Sequence, residues 1–203
     1  MRKNLFIASV FAFLFSTGTQ AQVPEKAEDI SPLLIGETLP NAKLFNVEGK
    51  EIQLKNIVKE KPTVLVFYRG GWCPYCNTQL SGLAEIESEI IDLGYQIVAV
   101  SPDNYKNLKP TMEEDKVNYQ LFSDPNGQLI QDIGIAFKAS GMTRAYIAKK
   151  TKLDATEVLP APTVMILNTS GDILFEYISP NYKVRLSSEL LLASLKALKK
   201  DME

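Results

Sequence analysis

The stretch Thr63-Val64-Leu65-Val66-Phe67-Tyr68-Arg69-Gly70-Gly71-Trp72-Cys73-Pro74-Tyr75-Cys76-Asn77 decides the fold of this chain. Thr63 to Tyr68 is a continuous β-branched and aromatic run, the composition of a strand covered on both faces. Gly70-Gly71 ends it by permitting a backbone path that side chains would block. From Pro74 the apolar period changes: Leu80, Leu83, Ile86, Ile90 and Leu93 recur at three- or four-residue steps, Glu85, Glu87 and Asp92 lie between them, and Gly94 closes the segment. That spacing predicts an amphipathic helix over 74–93, with Pro74 in its first turn, where a proline forfeits no needed hydrogen bond.

Cys73 and Cys76 are the only cysteines in the 203 residues, and they stand at the junction of this strand and this helix. A thiol there feels the unpaired N–H groups and positive dipole end of the helix, which favour thiolate. A second thiol one turn further on can attack whatever first bonds to Cys73 and release it, leaving a Cys73–Cys76 disulfide. The alternative is an inert staple. A loop of about four residues contributes roughly 2 kcal/mol in the chain-entropy model, against about 3 for fifteen residues, so the spacing suits redox chemistry better than stabilisation.

The chain contains no histidine, which removes Ser-His-Asp and Cys-His nucleophile systems, imidazole acid/base catalysis and His-containing metal sites. Two cysteines cannot complete a four-thiolate zinc or iron–sulfur site, so no metal is expected. Residues 1–21 have the parts of a secretory signal peptide: Arg2 and Lys3, the apolar stretch Leu5 to Phe15, then Thr19-Gln20-Ala21, with cleavage expected before Gln22. The alternative is an uncleaved anchor, for which that stretch is short of the roughly 20 residues a span needs. Export, to a bacterial periplasm, is the expectation. Loss of the segment moves the net charge from −2 to −4, and a mildly acidic surface argues against nucleic acid as a partner.

Working outward, residues 22–32 are polar and acidic with Pro24 and Pro32, and read as a loose linker before a single domain over 33–203. Ala42 to Leu54 suits a small edge hairpin around Glu48-Gly49-Lys50. Tyr95 to Val100 is a strand, Asn104 to Lys116 a helix, Gln120 to Ser123 a short strand before the turn Asp124-Pro125-Asn126-Gly127, and Gln128 to Ile133 a further helical turn. Lys138 to Glu157 lacks sustained periodicity and reads as an insertion, partly helical at most. Thr163 to Leu167 and Ile173 to Ile178 form a hairpin, and a helix from about Ser188 ends the chain. The order implies an α/β fold, a central mixed β-sheet with helices on both faces.

The run Phe67 to Asn77 resembles the active-site segment of a peroxiredoxin-like branch of the AhpC/TSA family, within the thioredoxin superfamily. Supporting segments are Ile97 to Pro102, Phe122 to Gly127, Leu159 to Thr163 and Ser179 to Tyr182, so the similarity runs from Leu33 to the C-terminus. The resemblance implies a thioredoxin-like fold with an N-terminal β-hairpin extension, a nucleophilic Cys73, a resolving Cys76, and a cis bond before Pro162 facing the cysteines. It implies no bound organic cofactor and an external dithiol reductant, a thioredoxin-like protein. One departure stands out. The family pattern Pro-x-x-x-Thr/Ser-x-x-Cys finds Val66 and Gly70 at its first two defined positions here.

Among neighbours of the thiols, Arg69 is placed to lower the Cys73 pKa or stabilise an oxyanion, with Arg144 and Arg185 as more distant candidates. Trp72 shields the thiol on one side and offers partners an apolar contact. Tyr75 carries a weaker signal, and Asp124 reads as a residue of a solvated turn. Three functions follow: a hydroperoxide-reducing antioxidant oxidoreductase passing through a Cys73 sulfenic acid, a thiol–disulfide oxidoreductase acting on protein disulfides, and a non-catalytic module in which Trp72 and Pro162 grip peptides.

Overall fold

A computed structural model describes residues 22–202, so the expected signal peptide lies outside the described residues. The hairpin β1 (Lys43–Phe45) and β2 (Glu51–Gln53) is followed by α1 (Leu54–Val58) and β3 (Thr63–Phe67). Next come α2 (Pro74–Glu85), α3 (Glu87–Asp92), β4 (Gln96–Ser101), α4 (Leu108–Asp115), β5 (Gln120–Ser123) and α5 (Gln128–Asp132). Then β6 (Ala136–Lys138), α6 (Gly141–Thr151), β7 (Val158–Pro160), β8 (Thr163–Leu167), β9 (Ile173–Ile178) and α7 (Ser188–Met202) complete the chain.

Seven strands form one sheet in the order β2-β1-β5-β4-β3-β8-β9. β3, β4 and β5 run parallel, with Phe67 level with Val100 and Val100 with Phe122. β8 and β9 return antiparallel on one side, and the β1–β2 hairpin closes the other edge antiparallel to β5. This is the expected mixed sheet with its N-terminal hairpin.

All five residues of β3 are buried, and their alternation divides the core in two. Val64, Val66 and the following Tyr68 join Cys76, Leu80, Leu83, Ile90, Leu191 and Leu195 on the face covered by α2, α3 and α7. Leu65 and Phe67 face Leu54, Ile57, Leu129 and Ile130 on the face covered by α1 and α5. Four apolar residues in succession after Thr63 are what two covered faces require, and the buried Thr63 hydroxyl is satisfied by Lys61 O at 2.9 Å. Among the described residues no helix is long and apolar enough to cross a membrane.

Two expectations are corrected and a third holds. The helix over 74–93 is two helices meeting at Ile86, whose φ of −109° and ψ of 10° break the ladder while Leu80, Leu83 and Ile90 all still reach the core. The segment 138–157 is partly helical, as expected: it holds an 11-residue helix, α6, started by Ser140, whose hydroxyl accepts from the Thr143 amide at 3.2 Å. Its periodicity is faint because Ile147 alone among its residues is buried. The stretch 22–32 is no loose linker: Lys138 N–H donates to Pro24 O at 2.9 Å, Ser31 N–H to Gly134 O at 3.1 Å, and Ala27 is buried.

The passage into β8 brings a further correction, since no peptide bond among the described residues is cis and Ala161–Pro162 is trans. β7 pairs antiparallel with β6, Ala161 N–H donates to Ile135 O at 2.9 Å, and Pro162 O accepts from Ser179 N–H at 3.0 Å. The chain therefore passes extended from the small sheet to the large one, and Pro162 sits where its missing N–H is not called upon.

Candidate active site

The parallel pairing of β3 and β4 sends the loops after both strands out at one end of the sheet. One loop carries Arg69-Gly70-Gly71-Trp72-Cys73 and the other carries Asp103. They are joined by the Gly71 amide, which donates to Asp103 Oδ2 at 3.0 Å. Gly70 has a φ of +142°, and a Cβ there would lie 2.3 Å from Trp72 Nε1 and 2.6 Å from Asp103 Oδ2. A Cβ on Gly71 would lie 2.0 Å from Thr111 Oγ1 of α4. The glycine pair is thus needed both for backbone conformation and for close approach.

Cys73 is the N-cap of α2 and Pro74 its first residue. Cys73 O accepts from the amides of Cys76 at 2.9 Å and Asn77 at 3.1 Å, which turns the helix start around the Cys73 side chain. Asn77 Nδ2 donates to Gly71 O at 3.0 Å, holding the turn shut from the helix side. Both cysteines are free thiols and both are buried. Cys73 alone of the two lines a cleft of about 410 Å³, with Arg69, Trp72, Pro74, Tyr75, Met142, Thr143, Tyr146 and Tyr182.

The two sulfurs are electrostatically unequal. Cys73 is lowered to about 6, first by hydrogen bonding from the Cys76 thiol and also by the Cys76 amide and the Arg69 and Arg185 cations, against the opposing effect of burial. Cys76 is pushed well above the ordinary thiol value, first by burial and then by the charge and hydrogen bonding of Cys73. These opposite directions favour the thiolate on Cys73 and the proton on Cys76.

The Arg69 guanidinium lies 4.5 Å from the Tyr182 ring centroid and 5.0 Å from that of Trp72, a cation between two aromatic faces. Its buried Nε has no hydrogen-bond partner among the described residues. Tyr182 packs edge-on against Tyr75 with centroids 5.6 Å apart, and Trp72 edge-on against Tyr146 of α6 at 6.0 Å. Behind Trp72 a second cavity of about 470 Å³ is lined by Asp103, Asn77 and Thr111 among others. Burial raises Asp103 to about 7, opposed by the Gly71 amide and by the Trp72 indole N–H, which lies near the carboxylate but outside hydrogen-bonding geometry.

Of the residues singled out from sequence, Cys73, Cys76, Arg69, Trp72 and Tyr75 converge here. Pro162 is buried and does not line the Cys73 cleft, so it offers no grip for a peptide. Arg144 points to Glu157, Nη1 to Oε1 at 3.8 Å. Asp124 is buried, and it accepts from the amides of Gln128 at 3.0 Å and Ile130 at 3.3 Å at the start of α5; it is not solvated. Arg185, a distant candidate in sequence, donates from Nη2 to Cys76 Sγ at 3.2 Å. Asp103, Tyr146, Met142 and the packing of Tyr182 were not anticipated. Asp103 carried one signal: it follows the strand parallel to β3, and such neighbours open into one crevice.

Residues 35–175 match the AhpC/TSA family. "Putative peroxiredoxin bcp" of Haemophilus influenzae is 32% identical over 117 residues, which span 58% of this chain and 75% of that protein. "Peroxiredoxin bcp1" of Schizosaccharomyces pombe is 30% identical over 112 residues, 55% of this chain and 57% of its own. The crystal structure of the Mycobacterium tuberculosis peroxidoxin BcpB superposes with a TM-score of 0.65 at 20% identity, covering 81% of this chain and 97% of that one. The α/β, thioredoxin-like fold inferred from sequence is the fold observed.

Proposed function

The chain belongs to the AhpC/TSA family, and from that premise we propose that it is a thiol-dependent peroxidase of the peroxiredoxin type in which Cys73 is the nucleophile and Cys76 the resolving thiol. The observation that carries this reading is the asymmetry of the pair: both sulfurs are buried, but Cys73 lines the cleft and is lowered to about 6, while Cys76 does not line it and is pushed up by burial. The Cys73 thiolate attacks the terminal oxygen of a hydroperoxide, the O–O bond breaks, and the leaving alkoxide takes a proton, giving Cys73 sulfenic acid and an alcohol or water. Cys76 then attacks the Cys73 sulfur, an S–S bond forms, and the departing oxygen leaves as water.

Arg69, clamped between Trp72 and Tyr182 with an unpaired Nε, supports Cys73 ionisation and faces the cleft where the peroxide oxygens pass. An external dithiol such as a thioredoxin-like protein returns the disulfide to two thiols, and the aromatic rim of Trp72, Tyr75, Tyr146 and Tyr182 offers it an apolar landing. We place the reaction outside the cytoplasm on the strength of residues 1–21, a reading checked by fractionating cells that express the full chain.

A second reading, exchange with protein disulfides, is favoured by one observation. Gly70 and Val66 stand where the family pattern has a hydroxyl and a proline, and the Gly70 site is filled by Trp72 and Asp103. Exchange needs only the dithiol and the cleft. Reduced protein mixed with hydrogen peroxide, an alkyl hydroperoxide and a model disulfide separates the two. The peroxidase reading expects peroxide consumption that is lost in Cys73→Ser. Rapid disulfide turnover with negligible peroxide turnover replaces it with the second reading. The non-catalytic reading loses its Pro162 contact and expects neither turnover.

A further inference from the structure

We propose that Arg185 is a catalytic residue of the resolving step, the cation that holds the Cys76 sulfur as a thiolate while it attacks oxidised Cys73. This rests on the assignment of Cys73 as nucleophile and Cys76 as resolving thiol. Arg185 lies 109 residues from Cys76, in the segment between β9 and α7, and its guanidinium is fixed at three corners. Nε donates to Tyr182 O at 3.0 Å, Nη1 to Gln79 Oε1 at 2.9 Å, and Nη2 to Cys76 Sγ at 3.2 Å. Two neutral acceptors aim the group and the sulfur takes the remaining contact. Among the described residues no carboxylate lies within ion-pair distance of Arg185, so its charge is left for the sulfur.

The need for such a cation follows from burial. Cys76 is fully buried, and desolvation is the leading cause that keeps it a thiol. A thiol is a poor nucleophile, so resolution requires Cys76 to ionise inside the protein. The groups facing its sulfur are the Arg185 guanidinium from the β9–α7 segment, Cys73 across the helix turn, the Arg69 amide from the β3 loop and the buried Tyr68 phenol. In the reduced enzyme the Cys73 thiolate opposes ionisation of Cys76. Once Cys73 is bonded to oxygen or sulfur that negative charge is gone, and Arg185 works against burial without the opposing charge of Cys73. The fold thereby times the second ionisation to follow the first reaction.

The test uses an aromatic disulfide, dithiobis(nitrobenzoate), whose two coloured thiolates leave in sequence. The Cys73 thiolate attacks one sulfur, forming a mixed disulfide and expelling the first nitrothiobenzoate. The Cys76 thiolate attacks the Cys73 sulfur of that mixed disulfide, closes Cys73–Cys76 and expels the second. Stopped-flow absorbance on the reduced protein separates the releases, and no peroxide is involved. Arg185→Gln is expected to slow the second release by about tenfold or more and to move its pH midpoint upward, with a smaller effect on the first, because a cation in contact lowers a pKa by roughly 1–3 units. Arg185→Lys is expected to recover most of the loss, and its retained first release shows the site is folded. A second release at the wild-type rate in Arg185→Gln, or an Arg185→Lys protein as slow as Arg185→Gln, overturns the proposal. A first release that survives Cys73→Ser shows instead that the nucleophile was misassigned, and the proposal falls with it.

Discussion

The Gly71 amide donates to Asp103 Oδ2 at 3.0 Å, so the loop that delivers Cys73 to the helix start is tied to the end of the neighbouring parallel strand. Asp103 is 6% exposed, and that carboxylate is both anchor and liability: it orders the loop, and it is costly to ionise.

The liability has a pH signature. Asp103 titrates near 7 in the folded protein against an ordinary value of 3.8, so between those values the native state binds a proton that the unfolded chain has lost. Stability contributed by this group therefore falls as pH rises from about 4 through 7. Asp103→Asn is expected to match the wild type near pH 5 and to exceed it by roughly 2–4 kcal/mol above pH 8, read from denaturant titrations at both pH values. Cys73, lowered to about 6, acts in the opposite sense, adding stability as pH rises from its folded value toward the ordinary thiol value. It is present in both proteins, so the difference between them reports Asp103 together with its smaller electrostatic coupling to Cys73. A difference that does not change with pH contradicts the account.

Gly70 has the least freedom to change. Gly70→Ala demands a φ of +142° from an L residue and drives Cβ into Asp103 Oδ2, which the Gly71 amide holds in place. The expected cost is about 2–4 kcal/mol of stability, together with slower alkylation of Cys73 as the loop shifts. Equal denaturation midpoints for variant and wild type would refute the claim that this position is sterically closed.

Thiol reactivity ranks the causes of Cys73 ionisation. The rate of iodoacetamide alkylation is expected to rise with pH around a midpoint near 6. Cys76→Ala removes the leading cause and Arg69→Gln a lesser one, so both midpoints rise, that of Cys76→Ala by more, with shifts of roughly 1–2 units. The reverse order would mean that the guanidinium, rather than the neighbouring thiol, governs the thiolate.

Trp72 is the only tryptophan in the chain, and it packs between the Arg69 cation and Tyr146 at the mouth of the Cys73 cleft. Its emission is expected to change when the reduced protein is oxidised and to recover on addition of a dithiol, in wild type and not in Cys73→Ser. An emission that ignores the redox state would place the chemistry away from this indole.

Much of the scaffold was legible because local pattern and tertiary role agree. Val64 to Phe67 is hydrophobic at each step because two layers cover it, and Pro74 follows Cys73 because a helix begins there. The legible part fails where periodicity is weak or misleading. Helix α6 has one buried residue, and the continuous stripe through Ile86 hides a break between two helices that share one face. Pro162 is expected to follow a cis bond, yet the pairing of β7 with β6 carries the chain past it in extended, trans form.

The amino-acid order by itself determined that two thiols meet at a strand–helix junction, and with no histidine and no other cysteine it left few other chemistries open, because nucleophile and helix dipole are properties of adjacent residues. Which sulfur holds the proton, and what surrounds it, was decided only by the tertiary structure. Asp103 arrives from the next strand, Tyr146 from an inserted helix and Arg185 from beyond the final hairpin. Burial and charge act through space, and no spacing along the chain encodes distances between residues a hundred positions apart.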